Sequence, residues 1–348
     1  MTLKHLKKNK MKRIKLAILT AAATLFAACE ENGGGPVDPN LNPLEVNKAG
    51  VLAASETWSG DSIYVLNGRV VVPAGVELTI EPGTIIKGKE GDGANASTLI
   101  IAQGGMIDAQ GTESAPIIMT SVLDNITVGQ QAGTNLDETD AGLWGGLIVL
   151  GYAPISADAA TALIEGLPAN EAYAVYGGTD AADNSGSIEY VSVRHGGTLI
   201  GDGNEINGIT LAGVGSATVV NNIEVVANVD DGVEFFGGTV NPSNLVVWAS
   251  GDDGLDIDQA YAGAITNSLV ILGDTSDHGL EIDGPEGSYA AQFTLSNITL
   301  IGNQTTPGGE YADYRSKALG ATNNIYAYGF KDNSDVELDN NGVSQNFL

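Results

Sequence analysis

The sequence predicts an all-β chain wound as a single right-handed parallel β-helix, with coils of about 22–29 residues. Three observations carry that prediction. First, a strand motif repeats. Asn207-Gly208-Ile209-Thr210-Leu211, Asp231-Gly232-Val233-Glu234-Phe235, Asp253-Gly254-Leu255-Asp256-Ile257 and His278-Gly279-Leu280-Glu281-Ile282 space their glycines 24, 22 and 25 residues apart. Second, another strand series keeps the same rhythm, at Asn222-Ile223-Glu224-Val225, Asn244-Leu245-Val246-Val247, Ser268-Leu269-Val270-Ile271, Asn297-Ile298-Thr299-Leu300 and Asn324-Ile325-Tyr326-Ala327. Third, glycine supplies 47 of 348 residues, about twice the usual ~7%. It sits between short β-branched runs, with no long amphipathic helical pattern.

Two strand series sharing one period mean one coil per repeat. Each strand alternates apolar and polar residues, so one coil cannot bury its apolar edge alone and stacks on the next about 4.8 Å away. The short hexapeptide repeat of left-handed β-helices is absent. So is the leucine signature of leucine-rich repeats, and propeller blades need ~40 or more residues each. The asparagine opening the second series is expected to turn the chain and stack its amide between coils.

The elements follow in chain order. Residues 1–28 carry seven basic and no acidic residues, then an apolar run from Leu16 to Phe26 and Ala27-Ala28 before Cys29. That is the composition of a secretory signal, and the run is too short for a stable bilayer span. Met11-Lys12-Arg13 would serve equally well as its start. Cys29, the only cysteine, is expected to be lipidated, and two or more acyl chains would anchor the protein firmly. Residues 29–45, rich in Gly, Pro and Asn, are expected to form a flexible tether. Residues 46–348 are then the β-helix. Early rungs are expected at Ile63-Tyr64-Val65, Val76 to Ile80, Leu99-Ile100-Ile101, Ile117-Ile118-Met119 and Leu147-Ile148-Val149. Segments 123–143, 156–186 and 302–314 read as loops projecting from the stack.

Charge narrows the partners. All 43 acidic residues but only eight of the 15 basic ones lie beyond Cys29, so that part carries a net charge near −35. Such a surface repels nucleic acid and attracts divalent cations. Lyase chemistry needs a basic proton acceptor, and few basic residues remain. Arg194-His195, followed by Gly196-Gly197, reads as a turn.

Several segments resemble a family of Bacteroidota cell-surface lipoproteins with a pectin-lyase-like β-helix body. They are Pro73 to Thr84, Trp144-Gly145-Gly146-Leu147, Asn207 to Leu211 and Asp230 to Gly238. The resemblance covers roughly residues 50–335. It implies the fold and an outer-membrane, surface-exposed location, without implying a reaction. The residues right after the cysteine, Glu30-Glu31, resemble that group's acidic export signal. Asp230-Asp231-Gly232, Asp252-Asp253-Gly254, His278-Gly279 and Arg315-Ser316-Lys317 also resemble, in type and order, the motifs of polygalacturonases. That likeness implies a hydrolase using Asp231, Asp252, Asp253, His278, Arg315 and Lys317. Val229 and Asp230 stand where that family carries an Asn-Thr pair, and inversion would need its two carboxylates ~6.5–9.5 Å apart.

Strand alternation predicts which side chains align. With Val233, Phe235, Leu255, Ile257, Leu280 and Ile282 inward, Glu234, Asp256 and Glu281 form one outward column. Phe236, Asp258 and Asp283 form a second, and Asp231, Asp253 and His278 a third. Carboxylates about one coil apart repel, which raises their pKa or recruits a cation. Glu234, Asp256, Asp258, Glu281 and Asp283 are therefore candidate ligands for Ca²⁺, set against a simple solvated acidic face. On the second series, Val226, Trp248, Leu272, Ile301 and Tyr328 are expected to form an apolar stripe. Phe236, Trp248 and Tyr328 are the candidate binding residues, and Trp144, Tyr311 and Tyr314 are further aromatics in loop-like segments. The function expected is a surface-anchored, non-catalytic scaffold that binds glycan or another envelope protein. The alternative is a polysaccharide hydrolase.

Overall fold

A computed structural model of the chain describes residues 44–168, 171–201, 204–304, 309–338 and 344–347. The expected leader, Cys29 and nearly all of the expected tether lie outside the described residues. Twenty-two strands join in one sheet whose pairings are all parallel, and two short antiparallel hairpins stand apart from it. The described residues contain no α-helix, only two single-turn 3₁₀ segments. The chain is a right-handed parallel β-helix.

The motif repeat builds one face. Strands Thr98–Ile101, Leu147–Leu150, Ile209–Ala212, Val233–Phe236, Leu255–Asp258, His278–Ile282, Glu310–Tyr314 and Val336–Leu338 stack in register, one per coil. The asparagine series builds another, from the latter halves of Val219–Asn228, Ser243–Ser250, Ala264–Ile271, Phe293–Ile301 and Leu319–Tyr328. Each of these strands bends at an asparagine held at positive φ: Asn222, Asn244, Asn267, Asn297 and Asn324, between 52° and 59°. Asparagine tolerates the left-handed region better than other L residues do. The amides also bond along the stack, Asn324 Nδ2 to Asn297 Oδ1 at 2.7 Å and Asn297 Nδ2 to Asn267 Oδ1 at 3.1 Å. Between the faces, Val233, Phe235, Leu255, Ile257, Leu280 and Ile282 lie fully buried in one core running the length of the solenoid.

Four expectations need correction. The first described strand begins at Leu44, pairing with Ser62, so strand structure includes the last two residues, 44 and 45, of the segment expected to be tether. Residues 310–314 are a rung rather than part of a loop, because Ala312 and Tyr314 continue the inward column of Leu280 and Ile282. In the asparagine series the third strand is one residue out of the expected alignment. Asn267, not Ser268, takes the corner, and Ser268 fills an inward slot where its hydroxyl bonds to the Thr266 carbonyl. Ile271 consequently joins the outward stripe and Leu272 is buried in the core. The early rungs fall where expected.

The excursions differ in role. Residues 123–143 carry no strand. Residues 155–168 and 171–176 fold back over the motif face, where Ile155, Ile164, Leu167 and Tyr176 form a second apolar cluster with Ile148, Leu150, Ala212 and Phe236. Outward apolar residues on those coils require such a cover. Phe236 is therefore beneath a roof, its ring 6.0 Å from that of Tyr176, and does not offer a binding surface. Trp144 and Tyr314 are likewise fully buried, and Tyr311 packs its ring against Phe330 at 4.4 Å.

Candidate functional site

The acidic residues line up in the expected columns. One register row runs Thr210, Glu234, Asp256, Glu281, Asp313, Glu337. Beside it Phe236 pairs with Asp258, and the Asp283 amide donates to the Ile257 carbonyl at 2.7 Å. The third column is made by hydrogen bonds that climb the stack. Asp231 Oδ1 accepts from the amide of Asp253 at 2.9 Å, and Asp253 Oδ1 accepts from the amide of His278 at 2.7 Å. The aspartates preceding the repeat glycines thus cap the next coil, which is why the motif carries Asp-Gly in succession.

A solvated acidic face is not what results. Asp231, Glu234, Asp253, Asp256, His278 and Glu281 are all buried. Burial first, then repulsion from neighbouring carboxylates, pushes Asp231, Glu234 and Asp256 well above the usual carboxylate range. Asp252 is raised for the same two reasons, and burial with Glu286 and Asp283 nearby brings Asp258 to about 7. Glu165, from the excursion, adds to the repulsion on Glu234.

The lower end of the face is neutralised by cations of the chain itself. Arg315, at the end of strand Glu310–Tyr314, donates from Nε to Asp283 Oδ2 at 2.7 Å and from a terminal nitrogen to Glu281. His278 Nδ1 lies 2.9 Å from Asp253 Oδ1. The structure therefore brings Asp231, Asp253, His278 and Arg315 onto one face. Asp252 is exposed at its margin, and Lys317 is exposed at a turn with a positive φ of 64°, outside the cluster. Asp231 and Asp252, with Asp230, each offer one oxygen within 4.8 Å of the others.

Of the five expected metal ligands, Glu234 and Asp256 come together with Asp231, their ligand oxygens within 4.8 Å of one another. Glu281 and Asp283 are instead engaged by Arg315, and Asp258 Oδ1 accepts the amide of Gln259 at 2.6 Å. The residues beside Glu234 that the column reading did not place there are Asp231 and Asn207. Both stand in the repeat motif, but only the three-dimensional stagger between columns places them beside Glu234.

His278 gives a pH prediction. Burial pulls its pKa down, but the hydrogen bond and charge of Asp253, with Asp277 and Asp313, outweigh it and raise it to about 9. The imidazolium therefore stabilises the fold fully below about pH 6.5, its unfolded value, and this contribution disappears as pH rises through about 9. Discounted for solvent, it amounts to about 1–2 kcal/mol. Urea melts across that interval should show a steeper loss of stability in the wild type than in His278→Gln. Parallel curves would mean the ring is neutral in the fold.

The asparagine face presents a different surface. Its outward rows are Glu224, Val246, Leu269, Thr299, Tyr326 and Val226, Trp248, Ile271, Ile301, Tyr328. Trp248 is 38% exposed, Tyr326 62% and Tyr328 65%. An open groove of about 740 Å³ follows Glu224, Val246, Leu269 and Thr299 over four coils, walled by Asn222, Asn244, Asn267 and Asn297. Beyond it, segment 123–143 frames a cavity of about 360 Å³ with Arg194, Glu224, Val226 and Trp248. Arg194 is held there by Glu224 at 2.8 Å.

The family comparison agrees with the architecture. The model of the pectate-lyase-like β-helix domain matches residues 50–347. The chain belongs to that family. No match is found among characterised proteins. Among solved structures, the crystal structure of the Agl-KA catalytic domain is similar at 11% identity with a TM-score of 0.25, over 88% of this chain. The chain spans 62% of the length of that structure.

Proposed function

We propose that this pectate-lyase-like β-helix is a non-catalytic binding protein of the cell surface, tethered through lipid on Cys29, that holds an extended neutral glycan along its asparagine face. The observation that carries this reading is the groove of about 740 Å³ with exposed aromatic rings on the adjoining outward positions. Flat aromatic rings offer apolar area and, in tyrosine and tryptophan, a polar handle. The amides along the groove wall add hydrogen-bonding groups at a fixed spacing of one coil. The net charge near −35 of the part beyond Cys29 disfavours anionic polymers, which leaves neutral chains as the fitting class. Asp231 and Asp253 cap backbone amides of the next coil, a structural task that supports a non-catalytic reading of the acidic face.

The test is affinity electrophoresis on neutral and acidic polysaccharides, with reducing-sugar release followed in parallel. Retention by a neutral glycan is expected, weakened about tenfold by each of Trp248→Ala and Tyr328→Ala, equivalent to about 1.4 kcal/mol. No sugar should be released. Release that Asp253→Asn abolishes would replace this reading with a hydrolase. Cys29→Ser should move the protein from the membrane to the soluble fraction.

A further inference from the structure

The upper end of the acidic face contains a group of charges that the chain leaves unbalanced. Asp231, Glu234 and Asp256 come from two successive coils, each at least nine-tenths buried, with ligand oxygens within 4.8 Å of one another. Among the described residues, no lysine, arginine or histidine forms an ion pair with any of the three; Arg315 and His278 are engaged with Glu281, Asp283 and Asp253. The polar groups they do meet are few. The Asn207 amide nitrogen donates to Glu234, and the Asp253 amide donates to Asp231.

A second observation is independent of the charge count. Asp256 Oδ1 is buried with no hydrogen-bond partner, and so is Oδ1 of Asn207, whose own nitrogen sits on Glu234. A buried oxygen without a donor is a costly defect, and an anionic one more so. Two such atoms beside three clustered carboxylates mark a place where something positive is missing from the protein's own side chains.

We propose that Asp231, Glu234 and Asp256, with Asn207, hold a divalent cation of the calcium type that clips two coils together. The donor set is all oxygen, without sulfur or imidazole, which selects a hard cation. Two oxygens bound at 2.3–2.6 Å to one ion can lie at most about 5 Å apart, and the observed clustering falls inside that limit. Calcium accepts irregular oxygen cages, whereas magnesium demands octahedral geometry and keeps several waters. Ile164, Ile206 and Phe236 line only a small void with Asn207, and so close the upper side against bulk water. This inference does not depend on what the asparagine face binds.

The experiment uses the full-length protein in detergent, stripped with EDTA and titrated with CaCl₂ by calorimetry, with metal content measured by mass spectrometry. Saturating Ca²⁺ is expected to raise Tm by about 5 °C, and Mg²⁺ at equal concentration is expected to raise it far less. Asp256→Asn should lose at least tenfold in Ca²⁺ affinity, and the exposed control Glu113→Gln should lose none. In EDTA, Asp256→Asn should melt at or above the wild type, since it removes one repelling charge. A merely structural aspartate would give the opposite sign. Should Asp256→Asn not fold, Glu234→Gln carries the same test. A wild type without bound Ca²⁺ and without a Tm shift would overturn the site. Unchanged affinity in both variants would do the same, and equal stabilisation by Mg²⁺ would overturn the calcium assignment.

Discussion

Gly254→Ala is expected to lower the unfolding free energy by about 1–3.5 kcal/mol, although alanine ordinarily suits an extended strand better than glycine. A β-carbon at Gly254 would lie 2.3 Å from Val270 Cγ1 and 2.7 Å from the Gly279 carbonyl oxygen. Gly232 meets Val247 at 2.3 Å and the Gly254 carbonyl at 2.6 Å. Gly208 meets Val225 at 2.4 Å and the Gly232 carbonyl at 2.7 Å. The repeat glycines thus form a column that lets the motif strands approach the valines of the asparagine face. None of them has positive φ, so the requirement is for space. The gain of about 0.4–1 kcal/mol that Gly→Ala brings through the unfolded state is overtaken by overpacking, about 1–3 kcal/mol, and by disturbance of an inter-coil hydrogen bond, about 1 kcal/mol. Gly279 is the control, because its nearest atoms stand 3.0–3.2 Å away and include the flexible Leu300 side chain. Urea denaturation should rank Gly232→Ala and Gly254→Ala together, well below Gly279→Ala, which stays within about 1 kcal/mol of the wild type. Equal effects at all three would mean the coil spacing is elastic.

That column also explains why the fold is legible in the sequence. Asp-Gly, or His-Gly, followed by alternating apolar residues recurs because one glycine is needed for close approach, one side chain before it caps the next coil, and two apolar residues fill the core. Where the constraint is strict, the alignment is unambiguous. On the second series only the corner residue is strictly constrained, by its positive φ, and alignment on apolar content alone misplaces it: Leu269 resembles Leu245 but stands opposite Val246. The polar Ser268 in an inward slot hides the true register. Residues 310–314 escape for a related reason, since Glu310 and Tyr311 show no apolar alternation, although Ala312 and Tyr314 point inward.

The candidate site was legible as columns and not as burial. Period-two alternation places Glu234, Asp256 and Glu281 in one row, and the pairing agrees. It cannot tell that residues 155–168 and 171–176 fold over the coils above, because that excursion is held by scattered contacts from Ile155, Ile164, Leu167 and Tyr176 rather than by a repeat. Nor does alternation distinguish carboxylates answered by Arg315 from those left unanswered. Arg315 reaches Glu281 and Asp283 only because strand Glu310–Tyr314 brings it one coil below them. The aromatic residues divide on the same ground: Trp248 and Tyr328 stay at the surface, whereas Phe236 lies under the excursion.

Trp144→Ala is expected to destabilise the protein by about 3–5 kcal/mol, the range for truncating a large buried aromatic, while leaving glycan retention by the folded fraction unchanged. Trp144 is fully buried in the main core, and its indole N–H donates to the Arg194 carbonyl at 2.7 Å. Trp144→Phe keeps most of the volume but orphans that carbonyl, so a smaller loss of about 1–3 kcal/mol is expected. The partner that makes the assignment testable is Gly88. A β-carbon there would lie 2.6 Å from Trp144 Cε3, and its three nearest neighbours all belong to the same tryptophan. Gly88→Ala should therefore be destabilising alone and less so in the Trp144→Ala background, where the ring contacts are gone but the contact with the residue-144 β-carbon at 2.7 Å remains, giving a coupling energy of about 0.5–2 kcal/mol in a double-mutant cycle. Additive effects would place the indole away from Gly88. A stable Trp144→Ala protein that no longer binds glycan would instead put the ring on the surface, and would move the binding site from the asparagine face to the entry of strand Leu147–Leu150.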